Sequence, residues 1–481
     1  MERIDAHVWR ISAVVIVGSI MSILDTTIVN VALETLGREL HSTIDDIQWV
    51  VTGYMLSLAA VIPVTGWAAR RFGAKRVYLV SLLLFTFGSA LCGLASSTNE
   101  LIVFRVLQGF GGGMILPIGQ MMMAEAAGPK RMGRVMSIVA IPAMLAPILG
   151  PTIGGLIVDN ASWRWIFFVN IPIGVIAVLS GLRYLPRAEP GKANPLDFRG
   201  LLLMSSGLPL FTYGLAEVAA KGGGLGSPKA IVPGIAGIVL VAAFAWHALH
   251  TRYPLLDLRL YRRATFASAS IAMFCLGAAL FGSMILLPLY WQQIRHQSVV
   301  DTGLLTAPQG IGMVLIMPLT GRLTDRFGGG PLALAGAIVT TVLTIPFALI
   351  GTHTSFAWLS IAMAVRGVGI GLAFLPAMSA AFASLEREEV ATATPQLNVL
   401  QRTGGSIGTA VLAVVLQHEL TGAHGLDAAA NAYGTAFWVA AGLTALAIPP
   451  CIVLLRAERK ARAAKGDAGT PADAMAEAVA A

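Results

Sequence analysis

The stretch Leu24-Asp25-Thr26-Thr27-Ile28-Val29-Asn30-Val31-Ala32-Leu33 places one carboxylate inside an apolar run. No other residue from Ile11 to Leu33 is charged, and a run of that length crosses a hydrocarbon core of about 30 Å. A charge at that depth costs about 2.5–3.5 kcal/mol on insertion scales, so it normally faces a cavity or a partner. Asp25 is therefore predicted to be a functional, proton-binding carboxylate within a membrane helix.

The composition is that of a membrane protein. Of the 481 residues, 56% are hydrophobic and only 12% are charged, and the mean hydropathy is +0.75. Soluble globular domains carry about 25% charged residues. The three cysteines, Cys92, Cys275 and Cys451, lie in apolar runs without metal-ligand spacing, so they are expected to be core residues. No cofactor and no metal site are predicted.

Apolar runs of about 20 residues recur fourteen times along the chain. The predicted fold is therefore an all-α integral membrane protein with fourteen transmembrane helices. The predicted spans lie near residues 9–33, 48–69, 77–97, 101–124, 134–157, 165–185, 199–219, 230–250, 265–290, 302–321, 331–351, 357–381, 399–418 and 433–455.

The basic residues orient these spans. An even number of spans puts both termini on one side, and most of the 33 Lys and Arg residues fall in loops and tails on that side. Both termini are therefore predicted to be cytoplasmic, and the net charge of +8 needs no nucleic acid to explain it. The basic start of the tail after Arg456 predicts contact with anionic membrane lipid. Outer loops hold Arg38, Arg164, Lys221, Lys229 and Arg295, and spans hold Arg105, Arg366 and Arg402.

A weak internal repeat is present. Gly66–Gly73 follows the second span and Gly321–Gly328 follows the tenth, and both read Gly, four residues, Arg-Phe-Gly. Gln108–Gly113 in the fourth span likewise resembles Arg366–Gly371 in the twelfth. The offsets of 255 and 258 residues agree, as expected for two six-helix halves with two helices inserted between them.

The repeat predicts four parts. Residues 1–185 form an N-terminal six-helix half, and 186–263 form a linker with two inserted helices. Residues 264–456 form the C-terminal six-helix half, and 457–481 form a cytoplasmic tail that is expected to be disordered.

The fifth span carries Gly150-Pro151-Thr152-Ile153-Gly154-Gly155. Gly-Pro pairs bend membrane helices, and small residues let a neighbouring helix approach closely. Two interpretations stay open: ordinary small-residue packing, or a helix that bends where the two halves meet.

Several motifs occur here in the order found in one family. Leu24–Leu33 and Gly150–Gly155 resemble its signatures in the first and fifth helices. Residues 163–172, 196–200 and 402–408 resemble the starts of its sixth and seventh helices and its thirteenth helix. The chain thus resembles the fourteen-helix drug:proton antiporter branch of the major facilitator superfamily over nearly its whole length. The resemblance implies no enzyme but a proton-coupled exporter of hydrophobic or cationic drugs, working by alternating access in the bacterial inner membrane.

In that family the loop after the second helix holds the outward-facing state by charge pairing. The loop usually carries an Asp four residues after its first Gly, where this chain has Arg70, so the first copy lacks the carboxylate for that pairing. The second copy keeps the acid as Asp325. The residues assigned to conformational motifs are Gly66, Arg71, Gly73, Gly150, Pro151, Gly154, Gly155, Gly321, Asp325, Arg326 and Gly328.

Arg105 lies five residues into the fourth span, in the outer half of its helix, as Asp25 does in the first. The two side chains are therefore expected to approach one another. A nearby cation favours the ionised carboxylate, and its removal favours proton uptake, so Arg105 is a candidate for tuning Asp25. A fixed structural ion pair, or an interfacial arginine that reaches water, is the alternative.

Six residues with polar or polarisable side chains within or at the ends of spans are candidates for lining a substrate cavity. For each of them ordinary packing or an interfacial position is the alternative. They are Asn30, Gln108, Met114, Glu125, Tyr290 and Gln292.

Other functions also fit the motifs. The expected partners are a small-molecule substrate, protons and lipid, and a periplasmic adaptor protein is left open. No Gly-Lys-Ser/Thr phosphate loop is present, so ATP is not expected to drive transport directly. A dedicated exporter of a metabolite or lipid, a uniporter, and a sensor or scaffold with a transporter-like fold remain alternatives.

Overall fold

The computed structural model describes residues 5–127, 134–135, 150, 153–158, 160–186, 194–219 and 226–467. The regular elements in these ranges are helices, including two 3₁₀ turns at Ile62–Val64 and Leu258–Arg262. The α-helices are α1 (Ala6–Glu39), α2 (Ile44–Val61), α3 (Thr65–Phe72), α4 (Ala74–Leu94), α5 (Thr98–Ala127), α6 (Trp165–Phe168), α7 (Asn170–Tyr184), α8 (Phe198–Ala219), α9 (Pro228–His250), α10 (Ala264–Gln293), α11 (Val299–Phe327), α12 (Gly329–Ala348), α13 (Phe356–Ala383), α14 (Arg387–Thr421), α15 (Leu426–Ala445) and α16 (Ile448–Asp467).

The described residues contain 13 helical stretches that are long and apolar enough to cross a membrane. These stretches coincide with the predicted spans except the fifth. That span, predicted near 134–157, lies mostly outside the described residues, as does Pro151. The prediction of an all-α membrane protein is confirmed, whereas a count of fourteen stays a prediction.

Several helix ends differ from the prediction, and prolines explain two of them. The second span contains a 3₁₀ turn at Ile62–Val64 that includes Pro63, because proline has no N–H to donate to the preceding turn. The last span is interrupted after Ala445, and α16 then begins with two prolines in its first turn, where no N–H is needed. Helix α16 continues to Asp467, beyond the predicted start of the tail at 457.

The helices associate in two groups and one pair. Helices α1–α7, called here the first helix group, pack mainly on one another, and α10–α16, the second helix group, do the same. Helices α8 and α9 pack against each other, and α8 also contacts α2 and α14. The predicted domain boundaries at 186 and 264 stay predictions.

The repeat produces the same turn twice. Gly73 joins α3 to α4 with a φ of 86°, and Gly328 joins α11 to α12 with a φ of 93°. Only glycine adopts this region of the backbone map without strain. The two Arg-Phe-Gly sequences therefore end one helix and start the next in the same way.

Helix α14 joins the two groups, because it contacts α3, α5 and the first 3₁₀ turn. A Cβ atom on Gly66 would overlap the carbonyl oxygen of Ala391, so α3 and α14 meet backbone to backbone. Arg70 donates a hydrogen bond to Thr392 Oγ1, and Asn398 Nδ2 donates to Gln120 Oε1 at 2.8 Å. These contacts lie toward the end of the bundle that is predicted to be cytoplasmic.

Candidate functional site

Asp25 of α1 and Arg105 of α5 form a buried ion pair. Arg105 Nη1 donates to Asp25 Oδ2 at 2.6 Å, and each residue is 1% exposed. The expected approach of the two side chains is thus confirmed. Because Arg105 is buried, the alternative of an interfacial arginine that reaches water is wrong. The two remaining interpretations are tuning of Asp25 and a fixed structural ion pair.

Gln108 links the two charges. Its Nε2 donates to Asp25 Oδ1 at 2.9 Å, while its Oε1 accepts from Arg105 Nη1 at 2.8 Å. Arg105 and Gln108 share one face of α5 because residues three apart are neighbours on a helix. A Cβ atom on Gly88 of α4 would lie 2.8 Å from Gln108 Cα, so the glycine lets α4 press against this face. Gln108, predicted as a cavity residue, is instead fully buried on the carboxylate.

Asn170 is a third donor to the carboxylate, and the sequence reasoning missed it. Its Nδ2 donates to Asp25 Oδ1 at 3.1 Å and to Ser89 Oγ at 3.0 Å. Asn170 begins α7, just after the helix breaks at Val169. Its Oδ1 atom is buried and has no hydrogen-bond partner among the described residues. The Asn170 amide within the apolar sixth span is the sequence feature that could have indicated a buried polar contact.

Helix α2 holds Arg105 from the other side. The Tyr54 ring lies under the guanidinium, with its centroid 3.9 Å from Cζ, and Arg105 Nε donates to the Val50 carbonyl at 3.3 Å. A cation over an aromatic face is stabilised by the ring quadrupole. The ion pair is thus enclosed by four helices, α1, α2, α5 and α7, and its net charge is zero.

The second helix group also buries an arginine. Arg366 of α13 donates from Nε to Thr344 at 3.0 Å, from Nη1 to Gln309 at 2.6 Å, and from Nη2 to Ser283 at 2.6 Å. Within the described part of the chain, all three partners are neutral side-chain oxygens. Arg366 is 1% exposed and therefore keeps an uncompensated charge inside the protein.

The other predicted cavity residues lie apart from the ion pair. Tyr290 is buried between Trp291 and Tyr433 and donates to the Gly351 carbonyl at 2.8 Å, which corresponds to the packing alternative given for it. Asn30 and Gln292 are exposed, and the Asn30 amide donates to a carbonyl of its own helix. Met114 and Glu125 are half-buried on α5.

The fifth-span glycines lie against α1 close to Asp25. A Cβ atom on Gly150 would overlap the Thr27 side chain, and one on Gly154 would lie 3.2 Å from the Ile28 carbonyl oxygen. Gly155 faces open space. Small residues are therefore needed at 150 and 154 for close packing next to the proton-site candidate.

The conformational-motif residues of the two Arg-Phe-Gly repeats lie at the predicted cytoplasmic end. Arg134 Nε donates to Asp325 Oδ2 at 2.7 Å, which joins the segment after α5 to the end of α11. Gly321 is buried, whereas Arg71 and Arg326 are exposed. The acid kept in the second copy is thus used in an ion pair, and Arg70 in the first copy makes a hydrogen bond to α14 instead.

Comparison with known proteins identifies the family. The Major Facilitator Superfamily family model matches residues 15–409. A multidrug resistance protein B homolog of Mycobacterium tuberculosis is 40% identical over 421 residues, covering 87% of this chain and 78% of that protein. The chain belongs to the drug:proton antiporters of the major facilitator superfamily. A second relative is the multidrug export protein EmrB of Haemophilus influenzae. It is 31% identical, and the match covers 82% of this chain and 78% of EmrB.

Solved structures of other members of the superfamily share the fold of this protein. The human organic anion transporter MFSD10 superposes with a TM-score of 0.61 at 15% identity, covering 91% of this chain and 99% of that one. The proton:xylose symporter XylE gives 0.62 at 14% identity, covering 91% and 95%. The family model and the relatives make the protein a transporter of small molecules rather than an enzyme, and a multi-pass protein of the bacterial cytoplasmic membrane.

Proposed function

We propose that the protein exports hydrophobic drugs in exchange for protons, with Asp25 as the proton-binding group. The observation that carries the proposal is the enclosure of Asp25. It is the one fully buried carboxylate among the side chains that the structure describes, and it accepts hydrogen bonds from Arg105, Gln108 and Asn170. A carboxylate held by groups from three other positions responds when any of them moves.

Arg105 provides the coupling in this proposal. A cation in contact favours the ionised carboxylate, and its withdrawal favours proton uptake. Because Asp25 and Arg105 lie on different helices, a shift of α1 against α5 changes their separation and with it the occupancy of the proton. Substrate in the cavity and the proton then compete through the arrangement of these helices.

Alternating access requires one end of the protein to be closed while the other is open. Two contacts support closure at the cytoplasmic end. They are the close backbone contact of Gly66 with Ala391 and the ion pair of Arg134 with Asp325. We propose that both contacts separate when the site opens inward. Fourteen helices, cytoplasmic termini, lipid contacts and a periplasmic adaptor belong to the same proposal.

The charge of the substrate is a separate question. The expectation of cationic drugs rests on a carboxylate that is free to meet a cation. Here Arg105 already neutralises Asp25, so a cation gains from this carboxylate only when the pair separates. The proposal therefore covers hydrophobic compounds in general.

The test is efflux of fluorescent lipophilic dyes of either charge from cells that express wild type or Asp25→Asn, each with and without a protonophore. Efflux from wild type that the protonophore abolishes, and that Asp25→Asn lacks, is expected. Efflux that continues unchanged in Asp25→Asn would falsify the role of Asp25.

Two controls make the result specific. Asp46→Asn removes an exposed acid from α2 and is expected to export at the wild-type rate. Purified protein in liposomes with a trapped pH dye then reports the protons directly. An outward substrate gradient should acidify the lumen, because protons enter as substrate leaves, and only when Asp25 is present.

A further inference from the structure

Arg402 lies near the middle of α14, on the face that meets the first helix group. Ala391 and Pro395 of α14 contact Gly66, and Asn398 binds Gln120 of α5. Positions 391, 395, 398 and 402 follow the three- and four-residue spacing of one helix face. Arg402 therefore continues this face by one turn toward the outer side.

The neighbouring face of α14 is occupied. Gly404 and Gly408 contact the backbone of α10 at Phe274 and Ala278, and Gly405 contacts the Phe281 ring. With 100° per residue, the centre of this glycine face lies about a third of a turn from Arg402. Arg402 is consequently directed at the space between the two helix groups rather than at α10.

Arg402 has no hydrogen bond and no ion pair with another described residue. It lies near the middle of α14, the helix that joins the two groups, and part of its surface is exposed. Exposed surface at this level, on the face directed between the groups, is the position expected of a residue that lines a cavity between them.

Arg402 differs from the other two arginines within the spans because no described residue pairs with it. Asp25 is neutralised by Arg105, and Arg366 is held by neutral oxygens in its own helix group. Arg402 faces the cavity with all five of its N–H donors available. An arginine stays protonated under all ordinary conditions, and in a low-dielectric site it needs an anion, water or carbonyl oxygens.

We infer that Arg402 binds the anionic group of the exported compound, and that the preferred substrates are amphipathic organic anions. A carboxylate or sulfonate matches the planar fork of the guanidinium, and an apolar body fits the membrane interior. The inference rests on the proposed export function, since it names the substrate class of that same cavity. It gives Arg402 a role in substrate selection, and leaves proton binding to Asp25.

The test uses tetraphenylborate and tetraphenylphosphonium, which have nearly the same shape and opposite charges. Binding of each ion to the purified full chain in detergent is measured above that of protein-free micelles. Wild type should bind the borate at least about tenfold more tightly than the phosphonium, because an unpaired guanidinium in a low-dielectric site attracts the anion and repels the cation. Arg402→Gln should remove this preference, and Arg402→Lys should retain most of it.

Arg322→Gln, which removes an exposed arginine from α11, serves as the matched control and should leave both affinities unchanged. Thermal melting of each variant establishes that it is folded. Equal binding of the two ions by wild type, tighter binding of the phosphonium, or a preference that survives in Arg402→Gln would each overturn the inference. The assay contains no proton gradient, so its failure is distinct from a failure of coupling at Asp25.

Discussion

The buried polar clusters of the two helix groups occupy corresponding places and carry different charges. Ser283 follows Asp25 by 258 residues, and Arg366 follows Gln108 by the same offset. The hydrogen bond from Gln108 to Asp25, at 2.9 Å, thus has its counterpart in the bond from Arg366 to Ser283, at 2.6 Å. The same pair of helix positions is joined in both groups.

The difference lies in which member of each pair is ionised. The first group combines an acid with an arginine, and their charges cancel, whereas the second group holds an arginine among neutral partners. The Ser283 hydroxyl does not ionise near neutral pH, whereas a carboxyl group can bind and release a proton. If Asp25 binds the proton as proposed, the repeat confines proton binding to one group and leaves the other with a permanent positive charge.

The largest expected effect comes from removing each arginine in turn. Arg105→Met leaves Asp25 as an uncompensated buried charge, so it should lower the free energy of unfolding by about 3–5 kcal/mol. Arg366→Met leaves only neutral groups unpaired and should cost about 1–3 kcal/mol. Thermal melting of both variants in the same detergent measures the difference.

The double variant Asp25→Asn/Arg105→Met provides the control, because it removes both charges together. It should recover most of the stability that Arg105→Met loses. Equal losses for the two single variants, or no recovery in the double variant, would show that the two clusters do not differ in charge balance.

A carboxylate placed in the second group gives a smaller effect. Ser283→Asp puts an acid where Arg366 already donates, so the protein should stay within about 1 kcal/mol of wild-type stability. Ser270→Asp, at a fully buried position on the same helix α10, has no arginine partner among the described residues and should cost about 2–3 kcal/mol. Urea-dependent or thermal unfolding compares them, and a similar loss in both would remove the correspondence between Ser283 and Asp25.

The smallest effect is expected at Asn170. Asn170→Ala removes hydrogen bonds to Asp25 and Ser89 and should cost about 1–2 kcal/mol. Because it also removes one of the two hydrogen bonds that Asp25 Oδ1 accepts, drug-driven proton movement in liposomes should weaken relative to drug export. Asn160→Ala removes an exposed amide and should change neither quantity; a loss of the same size there would leave Asn170 without a special role.

Much of the fold could be predicted because membrane helices are recognisable in the sequence as long apolar runs. The pair of Asp25 and Arg105 was also predictable, since chain direction places both in the outer halves of their spans. Asn170 was not, because its position depends on the break at Val169 and on how α7 rests against α1.

Other side chains depend on which helices become neighbours, and this information is absent from a single hydrophobic pattern. Tyr290 looks like an interfacial aromatic in sequence, yet α15 covers it through Tyr433. The direction of Arg402 follows from the contacts of the α14 glycines with α10, and the sequence alone does not show these contacts. Contacts between spans, rather than the spans themselves, were the unpredictable part.

The length of α1 has an electrical consequence. With 34 residues, α1 is about 51 Å long, and Asp25 stands roughly 4 Å beyond its midpoint. If α1 is centred on the bilayer, a proton that reaches Asp25 from outside has crossed somewhat less than half of the transmembrane voltage, worth about 1 kcal/mol per 100 mV. Proton binding alone, before any turnover, should therefore generate a capacitive current, and the rest of the charge should move on release to the cytoplasm.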